Sequence, residues 1–116
     1  MRGCKDRITV WRRDKNKFER ENFPVLCKWR RKSERRLDGA GSLTRDSVSI
    51  IIPYVPGFTV APGDLIAIGS HDFEITGNKP FRESDIKVEL GSDIITAQRV
   101  SYNLNGKGDH LRVEGV

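Results

Sequence analysis

The chain is short of the residues that most chemistry needs. It has two cysteines, two histidines and one methionine in 116 residues. Cys4 and Cys27 are too few and too far apart for a zinc site or a disulfide framework, and neither lies in a Cys-x-x-Cys arrangement. Both are expected as reduced thiols. Cys27 alternates with Val25 and Trp29 as a small core residue would, and Cys4 is expected at the surface. No apolar run reaches membrane-spanning length. The opening Met1-Arg2-Gly3-Cys4-Lys5-Asp6 has neither the apolar stretch nor the cleavage site of a signal peptide, so a cytosol-like compartment is expected.

Catalytic candidates are equally scarce. His71-Asp72 and Asp109-His110 are adjacent in sequence, and neighbours on a strand point to opposite faces, so neither pair makes an acid–base dyad. Gly39-Ala40-Gly41-Ser42 is not a phosphate loop, because no Gly-Lys-Ser/Thr follows it. The expectation is a protein that is not an enzyme, with no cofactor and no metal.

What the chain does have is strand signal. Ile94 to Tyr102 is rich in β-branched and aromatic residues, and His110 to Val116 alternates, with Leu111 and Val113 on one face. Asn105-Gly106 between them suits a reversal, which makes a C-terminal hairpin. Upstream, Asp6–Arg13 alternates about Ile8 and Val10, and Val25–Arg31 about Val25, Cys27 and Trp29. Ser47–Ile52, Leu65–Gly69 and Phe73–Thr76 complete the set. Phe18–Phe23 reads as an edge segment closed by Pro24. Arg82–Leu90 fits one helical turn or a short strand, with Ser84 and Asp85 as plausible caps. Six or seven short strands with hardly a helix indicate one all-β domain over residues 1–116, a small antiparallel β-barrel or sandwich.

Charge is unevenly placed. Residues 1–36 hold 14 Lys and Arg against 5 Asp and Glu, net +9, whereas residues 37–116 are net −4. Lys28, Arg30, Arg31, Lys32, Arg35 and Arg36 crowd into nine residues, followed by small residues without periodicity. Residues 31–45 therefore read as one long flexible loop, with Gly39 and Gly41 as its hinges. Arg30, Arg31, Lys32, Arg35 and Arg36 are the candidates for contact with DNA or an acidic neighbour. Trp29 beside them could stack on a base. Its face, shared with Val25 and Cys27, favours the core.

The order of these signals resembles the small head–tail connector, or minor capsid, proteins of tailed phages and prophages that close the head beneath the portal. The resemblance is carried by Asp6-Arg7-Ile8-Thr9-Val10, Arg20 to Trp29, Asp38-Gly39, Asp46 to Ile52 with Pro53, Gly63-Asp64-Leu65-Ile66 with Gly69, Val100 to Asn103, Gly106, and His110 to Gly115. It implies a virion protein of head completion, made in the host cytoplasm. Its β-barrel subunits would form a ring with copies of themselves between portal or adaptor and tail proteins. Their loops would line or plug the channel for double-stranded DNA, bound without sequence preference, and no membrane is involved. The departures are the very basic Lys28–Arg36 run and the short Ser70–Pro80 region. A monomeric OB-like or SH3-like nucleic-acid-binding module is the alternative.

Overall fold

A computed structural model describes residues 4–15, 17–38, 41–104, 106 and 108–116, with the side chains of residues 32–38 and 41–46 left aside. Seven strands and one helix follow in the order β1 (Ile8–Asp14), β2 (Lys17–Asn22), β3 (Lys28–Asp38), β4 (Gly41–Pro53), β5 (Leu65–Ile68), α1 (Glu83–Leu90), β6 (Ile94–Asn103) and β7 (His110–Gly115). All pairings are antiparallel, in the order β2-β1-β5-β6-β7-β4-β3.

The expected all-β class is what the structure has, as a curled, sandwich-like sheet rather than a closed barrel. β6 makes this possible by serving two ladders. Ile94–Thr96 pairs with β5, and Ala97–Asn103 pairs with β7 across a bulge between Ala97 and Arg99. A bulge bends its strand and increases the local twist, which turns one half of the sheet over the other. At the seam between the two ends of the curl, a single bridge joins Asp6 to Cys27, through Cys27 N–H donating to the Asp6 carbonyl at 2.6 Å.

Alternation on the strands decides what lies inside. Ile8 and Val10 of β1 meet Ile50, Ile52, Ile66, Ile95, Leu111 and Val113 in the main core. The opposite face of β1 is buried too. Trp11 packs with Leu65, Ala67, Ile75, Ile86 and Ile94 in a second cluster under α1 and the 71–77 segment. Its indole N–H donates to the Phe73 carbonyl at 3.1 Å, and the two rings stack at 5.2 Å. Cys27 is fully buried in the main core, and Cys4 is half-buried rather than exposed.

Two expectations are corrected and one open alternative is decided. Residues 31–45, expected as a flexible loop, form paired strand wherever they are described: Arg31 faces Val48, and the ladder continues to Asp38 opposite Gly41. Cross-strand hydrogen bonds satisfy this backbone without a hydrophobic period. A period of two appears in a sequence only where one face of the strand is buried. Phe73–Thr76 is not a strand; it crosses the second cluster as irregular chain, with Phe73 and Ile75 supplying apolar contacts. Arg82–Leu90 resolves into a helix, Glu83–Leu90. The Asp85 carboxylate reaches back to the Arg82 backbone N–H at 3.2 Å, one half of a capping box.

Candidate functional site

The two-stranded part of the β3–β4 hairpin is the most prominent feature of the molecule. β7 covers β4 only from Val48 to Pro53, so among the described residues Gly41–Ser47 pairs with β3 alone. Seven residues of strand span about 20 Å at 3.3 Å per residue. The Cα radius of gyration, 15.1 Å, exceeds the roughly 13 Å expected of a compact domain of this length. Of the candidate contact residues, Lys32, Arg35 and Arg36 occupy this arm at register positions opposite Ser47, Thr44 and Leu43. Their side chains lie outside the described residues, as does Gly39. Gly41 is the first residue of β4.

Where the arm joins the body, the structure sorts the basic cluster by face. Trp29 is half-buried and packs against the main core, the side that its face shared with Val25 and Cys27 favours. Its indole nitrogen is buried with no acceptor among the described residues. Arg31 pairs with Asp93, just before β6, and both side chains are half-exposed. Lys28 and Arg30 lie on the opposite face of β3. Cross-strand register continues that face over the sheet in two rows, Arg30–Ser49–Glu114–Arg99 and Lys28–Ile51–Arg112–Ser101.

Sequence reasoning missed Arg99 and Arg112. Arg112 was legible, since it alternates with the buried Leu111 and Val113. The bulge shifts Arg99 into register with Glu114, and no local pattern announces a bulge. Both arginines contact Glu114, at 4.0 and 3.4 Å. These exposed pairs are worth little to stability. Among the described side chains, four cations share this outer face with one carboxylate, and Arg30, Arg99 and Arg112 are exposed on it.

The histidines are held locally and far from each other in role. His71 Nε2 lies 3.0 Å from the Ile68 carbonyl, and its ring packs against Trp11 and Phe73. His110 Nδ1 lies 2.8 Å from the Gly108 carbonyl and Nε2 lies 3.3 Å from Asn103. Among the described residues no three His, Cys, Asp or Glu side chains gather as metal ligands. No described helix is long and apolar enough to cross a membrane.

A family model described as a family of unknown function (DUF6751) matches residues 4–116. No curated protein and no solved structure matches the chain.

Proposed function

The chain belongs to this family of unknown function, DUF6751, and we propose that it is a non-catalytic subunit of a phage head–tail connector, of the head-closure type. In this reading it assembles with copies of itself and with portal or adaptor and tail proteins, in a ring around passing double-stranded DNA. The observation that carries the reading is the arm. A two-stranded hairpin is marginal in water without a third strand or a packed face. An arm of this length, basic along β3, gains that support by lying on a neighbouring molecule. Identical subunits joined head to tail close into rings when the rotation permits. The outer sheet face, with Lys28, Arg30, Arg99 and Arg112, then offers backbone-directed, sequence-independent contacts to the duplex.

The test is to replace residues 34–45 by an Asn-Gly turn and to follow sedimentation across concentration and in the presence of portal rings. The expected result is that the full chain assembles and the shortened one stays monomeric, with an unchanged thermal midpoint. Equal assembly by the two chains would overturn the reading. The alternative, a monomeric nucleic-acid-binding module, is favoured instead by a full chain that remains monomeric and binds short duplexes with submicromolar affinity. Contact by the four face cations gives a slope of log K on log salt of about −2 to −4 in either case.

A further inference from the structure

On the other side of the molecule from the cationic sheet face runs an open groove of about 880 Å³, between β2 and the first turn of α1. Arg13, Lys17, Arg82 and Lys87 rim it, with Glu83 as its one acidic lining residue. Phe18 and Ile75, both packed on the second hydrophobic cluster, give it an apolar lining. Three of the cations are pre-positioned by contacts that leave donors free. Arg13 donates to Glu83 at 2.9 Å and to the Gly63 carbonyl at 3.2 Å, and its guanidinium lies over the Phe18 ring at 4.7 Å. Lys87 shares Glu83 at 3.2 Å, and Arg82 is held by Asp85 at 2.9 and 3.1 Å. Burial alone would raise the Glu83 carboxyl, but Lys87 and Arg13 outweigh it and hold it below its ordinary value. Lys17 is exposed and makes no ion pair among the described residues.

β2 is also an outer strand of the sheet. Its far edge pairs with no strand among the described residues, so it presents main-chain N–H and C=O groups beside the groove.

We propose that this groove binds an extended acidic segment of a partner protein, laid along β2 as an added strand, with carboxylates on the cationic rim and apolar side chains over Phe18 and Ile75. Strand addition draws affinity from main-chain hydrogen bonds and selectivity from alternate side-chain positions. A nucleic-acid strand would use the cations but has no amide ladder to offer β2. A second copy of the chain is disfavoured by charge: the other free edge of the sheet, β3, carries six Lys and Arg against two carboxylates. The site is separate from the arm and the sheet face, and stands whether or not the connector reading does.

The experiment uses the full chain and two probes of equal charge, a ten-residue peptide of two glutamates alternating with two valines, so that each face of the added strand carries both, and a single-stranded oligothymidylate. Binding is followed by amide NMR and by hydrogen exchange of residues 17–22. Three results are expected together. The peptide binds with a dissociation constant on the order of 100 µM and slows exchange on the free edge of β2. Lys17→Glu weakens binding about tenfold through like-charge repulsion, whereas Lys28→Glu on the opposite face leaves it unchanged. Oligothymidylate fails to displace the peptide. No peptide binding, peptide binding indifferent to Lys17→Glu, or displacement by oligothymidylate would each overturn the proposal.

Discussion

Gly115 lies where β7 passes the bulge of β6, and there is no room beside it. A Cβ added there would stand 2.2 Å from the Thr96 carbonyl oxygen and 3.0 Å from the Ile95 Cδ1. The first of these neighbours is backbone in a paired strand, so relief means breaking the ladder. Gly115→Ala is expected to cost about 3 kcal/mol, read as a lower urea midpoint with an unchanged slope. Asp64 is a second residue with no substitute. It is buried, and its two carboxylate oxygens accept the Arg13 N–H at 3.0 Å and the Ala61 N–H at 2.9 Å. Asp64→Ala strands both donors and should cost about 2–4 kcal/mol by the same measurement. Cys27 is a subtler case. Burial, with Cys4 and Asp6 adding to it, pushes its thiol from 9.0 up to about 12. Between those values the unfolded chain gives up the proton and the folded one keeps it, so stability falls as pH rises. The unfolding free energy of the parent minus that of Cys27→Ala should decline by up to about 1.4 kcal/mol per pH unit across pH 9–12, and stay level below pH 8. Cys27 should also resist alkylation at neutral pH, since the thiolate is the reactive form.

At the scale of elements, the strands with a buried face were legible, as was the edge segment at Phe18–Phe23, but the outer halves of β3 and β4 were not. Ser47–Ile52 and the C-terminal hairpin announce themselves because Ile50, Ile52, Leu111 and Val113 must all point one way. The outer half of β3 carries charge at most positions and that of β4 is largely small and polar, so the sequence holds no period there to read. α1 is obscure for a related reason. Ile86 is its one buried residue, too few to mark a helical stripe. What it does show is a cap and an i,i+4 pair, Asp85 on Arg82 and Glu83 with Lys87, whose worth in a helix is a few tenths of a kcal/mol. Ser84 and Asp85 were the right neighbourhood for its start. The interior placement of Trp29 has its own consequence. Trp29→Phe removes a buried N–H that lacks an acceptor among the described residues, at the cost of some packing, and should change stability by less than about 1.5 kcal/mol. It should leave any nucleic-acid affinity unchanged, measured by fluorescence anisotropy of a labelled duplex; a tenfold loss would return Trp29 to the binding surface.

For the whole molecule, the class of fold followed from turn spacing and alternation, but the strand order did not. β5 lies between β1 and β6, and β7 between β6 and β4, by long-range pairing that no local pattern encodes. The cationic face has the same origin, since it exists only once β3, β4, β7 and β6 lie side by side. The seam is where this architecture is thinnest. Asp6 holds it through its own carbonyl and through its carboxylate, which accepts the Trp29 N–H at 3.2 Å. Asp6→Ala should therefore speed amide exchange at Cys27 and Trp29 well before it lowers the global midpoint.

The sharing of β6 has an opposite effect. Because one continuous strand is threaded through both ladders, a slip of β6 by a single residue would pull Val100 away from Val113 and Thr96 away from Leu65 at the same stroke. Neither half can melt while the other stands, and calorimetric and van't Hoff enthalpies of unfolding should agree.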